Sequence, residues 1–76
     1  MTTDVIEVDA IGLLCPLPVL KARKVLADLP SGSVVRVLAT DGMAVIDMPH
    51  FCREAGHDHL SLTEVAGVQH HLIRRG

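Results

Sequence analysis

Gly12-Leu13-Leu14-Cys15-Pro16-Leu17-Pro18 separates two runs of different hydrophobic period, and that change of period decides the fold. Before it, Val5 to Asp9 alternates, with Ile6 and Val8 on one face and Val5, Glu7 and Asp9 on the other, as in a strand with one wetter side. After it, Val19, Ala22, Leu26 and Leu29 recur at helical spacing and Val25 widens the stripe. Lys21, Arg23, Lys24 and Asp28 fall off that stripe, so the pattern predicts an amphipathic helix from Pro18 to Leu29. Pro18 suits a first helical turn, where its missing N–H has no intrahelical partner to lose. Pro16 and Pro18 also push the residues before them toward extended geometry, which predicts Cys15 outside the helix or at its cap and Leu17 extended. A thiol facing a helix N-terminus meets free amides and the positive end of the dipole, and both favour thiolate. A fall in its pKa from about 8.5 to about 7 would raise the thiolate at neutral pH from a few per cent to roughly half. The competing reading of Cys15 is a small buried hydrophobe at a turn.

Outward from this stretch, Pro30-Ser31-Gly32 ends the helix, and Ser33 to Thr40 sets Val35, Val37 and Ala39 against Val34, Arg36 and Leu38 as a second, well-buried strand. A strand, helix and strand in succession make a parallel crossover unit, which places the Cys15 loop at the carboxyl end of the first strand, where reactive groups gather. Pro49 interrupts an otherwise helical pattern, so a turn through Asp41 to Ile46 is expected. A short helix should follow, capped by Asp47, lined by Met48, Phe51, Cys52 and Ala55 and ended by Gly56. Leu60 and Leu62 alternate with polar residues as a third strand, Ala66-Gly67 turns the chain, and Val68 to Arg74 returns as a fourth. The expected fold class is α/β (α+β): a β-α-β-α-β-β two-layer sandwich with a mixed four-stranded sheet and two helices on one face.

Seventy-six residues, 49% of them hydrophobic, predict a single domain over 1–76. Two cysteines without an export signal point to a reducing, cytoplasmic setting and free thiols. The apolar runs are too short to span a bilayer, so no membrane role is expected. With a net charge of −2 and Phe51 as its one aromatic residue, the chain offers neither a phosphate-binding field nor stacking platforms, so no direct nucleic-acid binding is expected. Cys52, His57 and His59, with His50, His70 and His71, match no zinc spacing. Structural roles are therefore preferred, and no metal or cofactor is expected. A Cys15 to Cys52 redox pair is disfavoured because Cys52 falls on the core stripe, and a protease-like Cys-His dyad would still need an orienting group and an oxyanion site.

The run from Asp9 to Pro18, with its G-x-x-C-P-x-P pattern and the following Val19 to Lys24, resembles the TusA/SirA-like sulfur-carrier family. Ala39-Thr40-Asp41, Asp47-Met48-Pro49, Phe51-Cys52, Gly56-His57 and Leu72-Ile73-Arg74 extend the resemblance over nearly the whole chain. It implies a sulfurtransferase of the persulfide-carrier type, in which Cys15 accepts sulfane sulfur and hands it to a partner protein. The implied donor is a cysteine desulfurase or rhodanese, and the implied acceptor is a DsrE-like or similar protein. Gly12, Pro16 and Pro18 would shape the site, and Leu14, Leu17, Lys21 and Lys24 are candidate partner contacts. Two features depart from many members: Gly42 follows Asp41 where proline is common, and Leu14 and Leu17 are apolar near positions where charges help select partners. The alternative function is a regulatory adaptor that binds a partner through the Cys15 surface and senses oxidation.

Overall fold

The computed structural model describes residues 4–76. The elements run β1 Val5–Ala10, α1 Leu17–Ala27, β2 Val34–Ala39, α2 Ala44–Ala55, β3 Asp58–Val65 and β4 Val68–Arg74. The sheet order is β1-β2-β4-β3, with β1 parallel to β2 and the other two pairings antiparallel. This is the expected element order and mixed sheet.

The core follows from the two periodicities. Val8, Ala10, Val35, Val37 and Ile73 come from the sheet, Ala22 and Leu26 from α1, and Met48 and Cys52 from α2, all in one buried cluster. Both helices therefore cover the same face of the sheet. Register then positions the site. Val5 pairs with Val34 and Ala10 with Ala39, so β1 and β2 end level and the loops that leave them lie side by side.

Three local expectations are corrected. Leu17 is the first residue of α1 rather than extended, and the helix closes at Ala27, with Leu29 N–H bonded to the Leu26 carbonyl at 3.1 Å. Helix α2 begins at Ala44, three residues before the proposed Asp47 cap, and takes Pro49 into its interior. Proline there removes one bond to the Val45 carbonyl, and Val45 is exposed, so water can satisfy that oxygen. Strand β3 does not bury its leucines as alternation implied. Its pairing with β4 slips between His59 and Ser61, and Leu60 and Leu62 stay exposed on this edge strand.

The β3–β4 hairpin turns through Ala66 at φ 51° and Gly67 at φ 79°. A two-residue turn of this hand suits the sheet twist, but alanine is strained at positive φ. Ala66→Asn, which tolerates that region, is expected to stabilise the fold by about 0.5–1 kcal/mol in denaturant melts.

Candidate functional site

The loop between β1 and α1 is fastened mainly by side chains. Gly12, at φ 80°, takes a backbone conformation that favours glycine, and its N–H donates to Thr40 Oγ1 at 2.9 Å. Ile11 N–H donates to Asp9 Oδ1 at 3.0 Å, and Cys15 N–H donates to Asp41 Oδ2 at 2.6 Å. Asp41 is the hub of the neighbouring loop. Its other carboxylate oxygen accepts Met43 N–H at 3.2 Å and its carbonyl accepts Ala44 N–H at 3.0 Å, which starts α2 directly beyond Gly42. The Cys15–Pro16 peptide is cis.

The two cysteines have opposite environments. Cys15 is exposed and Cys52 is buried, and neither forms a disulfide. Burial and the charge of Asp58 push the Cys52 thiol up to about 11. Cys15 Sγ donates to Asp47 Oδ2 at 2.9 Å, across a narrow crevice lined by Pro16, Pro18 and Val19 on one side and Asp41, Ala44 and Asp47 on the other.

This contact overturns the expected thiolate. The Asp47 hydrogen bond first, then desolvation and the charges of Asp47 and Asp41, raise the Cys15 pKa above its ordinary value. The helix N-terminus offers little in opposition. Pro16 and Pro18 have no N–H, and Leu17 N–H is spent on the Leu14 carbonyl at 2.8 Å. Of positions 16 to 19 only Val19 retains a free first-turn amide to present. The prolines that mark the helix start thus remove most of the donors on which the thiolate argument relied.

Of the other expected site residues, Pro18 is buried in the first turn of α1, while Leu14 and Leu17 are 69% and 48% exposed. Met43, just before α2, and Ile46 within it are also exposed, at 48% and 64%. Lys21 is exposed on α1, and its Nζ donates to the Asp9 carbonyl. Lys24 is exposed in the last turn of α1. Sequence reasoning missed Asp41 and Asp47 as neighbours of Cys15. The available signal was topological, since parallel strands that end level must set the residues after Ala39 beside those after Ala10.

Behind Asp41 runs a partly buried chain of hydrogen bonds. Gln69 Nε2 donates to the Asp41 carbonyl at 2.8 Å, Gln69 Oε1 meets His71 Nε2 at 2.8 Å, and His71 Nδ1 meets His59 Nε2 at 2.9 Å. With the Gln69 amide so oriented and His71 neutral, as its lowered pKa makes it near pH 7, His71 Nε2–H donates to Gln69 Oε1 and its Nδ1 accepts from His59 Nε2–H. Among the described residues no three metal-ligating side chains converge, and no helix is long and apolar enough to cross a membrane.

Residues 6–75 match the family model for Sulfurtransferase TusA. A protein of Neisseria meningitidis serogroup A, named as a sulfur carrier, is 52% identical over 60 residues, covering 79% of this chain and 81% of that protein. The sulfur carrier protein TusA of Allochromatium vinosum is 42% identical over 69 residues, covering 91% of each chain. The crystal structure of a SirA-like protein from Desulfitobacterium hafniense superposes with a TM-score of 0.84 at 31% identity, covering 95% of this chain and 99% of that one.

The histidine chain carries a pH dependence. Burial, and secondarily the charge of His59, lowers the His71 pKa from 6.5 to about 4, whereas the unfolded chain takes up this proton near 6.5. The stabilisation is therefore complete above pH 6.5, is lost as pH falls toward about 4, and changes no further below that. Urea titrations should show wild type losing up to roughly 3 kcal/mol over this window from His71. His71→Gln should flatten the dependence, whereas an equal fall in that variant would remove His71 as its source.

Proposed function

Because this chain belongs to the TusA sulfurtransferase family and is a sulfur carrier, we propose that Cys15 bears the sulfur as a persulfide and relays it from a donor protein to an acceptor protein. The supporting observation is the contrast between the thiols: Cys15 is exposed at the level ends of two parallel strands, whereas Cys52 is 1% exposed in the core. A carrier must meet two proteins in turn, so its sulfur has to be reachable from outside.

Cys15 sulfur attacks the outer sulfur of the donor persulfide, and the new S–S bond forms as the donor's S–S bond breaks. The electron pair leaves on the donor's inner sulfur, so no net oxidation occurs. In the second half the acceptor thiolate attacks the outer sulfur and Cys15 becomes the leaving group. This makes the chain a sulfurtransferase of the persulfide-carrier type, acting as one domain over 1–76 in the cytoplasm.

Gly12, Pro16 and Pro18 shape the site, while Leu14 and Leu17 offer apolar partner contacts with Lys24 at their margin. A cysteine desulfurase or rhodanese suits the donor role and a DsrE-like protein the acceptor role. Lys21, whose Nζ also donates to the Asp9 carbonyl, adds an exposed positive charge on α1 as a candidate partner contact.

Mass spectrometry of peptides after incubation with a desulfurase and cysteine should place the added sulfur on Cys15 in wild type and nowhere in Cys15→Ser. Cys52→Ala should load normally while losing about 1 kcal/mol or more of stability through lost packing. Sulfur on Cys52 in wild type would contradict the assignment.

A further inference from the structure

We propose that Asp47 is a positioning residue for this transfer: its carboxylate holds the Cys15 thiol of the empty carrier against α2 and releases that sulfur once it is loaded. The inference rests on the persulfide reading above and on one geometric fact, the 2.9 Å contact from Cys15 Sγ to Asp47 Oδ2. Asp47 does not cap α2, whose first turn is built on the carbonyls of Asp41, Gly42 and Met43. Its side chain is therefore left for Cys15.

The contact requires a hydrogen on Cys15 sulfur, because a carboxylate can only accept. A thiol has that hydrogen. After loading, the inner sulfur of Cys15–S–SH is bonded to carbon and sulfur and has none. The outer sulfur carries the remaining hydrogen or, being more acidic than a thiol, an anion that the carboxylate repels.

During loading Cys15 sulfur attacks, its proton ends on the departing donor sulfur, and the Asp47 contact is lost as the new S–S bond forms. The outer sulfur keeps the hydrogen it brought or loses it to water. Atoms and charge balance without an oxidant. Asp47 thus distinguishes the empty carrier, sulfur held inward, from the loaded carrier, sulfur free for an acceptor.

The charged groups facing Cys15 are Asp47 on α2 and Asp41 before it; on the α1 side, Lys21 Nζ is turned to the Asp9 carbonyl. Removing the Asp47 charge should therefore make the empty thiol more reactive, and Asp41 remains to report any general loss of the loop.

The test is the pH profile of Cys15 alkylation by iodoacetamide, in Cys52→Ala background, for Asp47 wild type, Asp47→Asn and Asp47→Glu. Each is measured empty and after loading with sodium polysulfide. The empty Asn variant should react several-fold faster than wild type at pH 7, with its inflection at lower pH. The Glu variant should return toward wild type, and the loaded forms should differ by much less than the empty ones.

Superimposable empty profiles for wild type and Asn would overturn the proposal, as would an equal acceleration in empty and loaded forms. Failure of polysulfide to load Cys15 would instead refute the persulfide reading, and the empty profiles would still decide whether Asp47 holds the thiol.

Discussion

Two parallel strands that end level leave two loops abreast, and the backbone groups of those loops have no ladder to enter. Here the β1–α1 loop solves this by borrowing side chains from the β2–α2 loop: Thr40 accepts Gly12 N–H and Asp41 accepts Cys15 N–H. Everything at the site depends on that loan. It places Cys15 beyond the level ends of β1 and β2, aims it across the crevice toward α2, and couples it through the Asp41 carbonyl to Gln69 and His71. Gly42 is spanned by two bonds to the same aspartate, Met43 N–H to its carboxylate and Ala44 N–H to its carbonyl, so Asp41 supplies the restraint there.

The same arrangement sets the acid-base character of the cysteine. A helix N-terminus usually favours thiolate through free amides, but a start built on two prolines has few of them. The nearest full charges are carboxylates, and they favour the thiol. An exposed cysteine kept as a thiol is less open to adventitious oxidation, since the thiolate is the reactive form.

Much of the fold was legible because its signals are local. The first strand through Val8, the helical stripe through Ala22 and Leu26, and the Ala66-Gly67 turn each fall where the structure has them, although Ile6 stays exposed. Pro49 misled because a proline was read as a boundary, whereas an exposed helix face tolerates the lost bond. Leu60 misled because a register slip on an edge strand undoes alternation. The position of Cys15 outside α1 was legible from its prolines. Its carboxylate neighbours were not, since Asp47 lies 32 residues away and only the level ending of β1 and β2 brings it near.

The central claim is that the loop bearing Cys15 is held by the loop beside it, and amide hydrogen exchange tests this most directly. The Cys15 and Gly12 amides sit in an exposed loop outside any helix or strand, yet both should exchange well below the unprotected rate in wild type. In Asp41→Ala, Cys15 should lose its protection while Gly12, bonded to Thr40, keeps most of its own. A Cys15 amide that exchanges freely in wild type, or is indifferent to loss of the Asp41 carboxylate, would contradict the account.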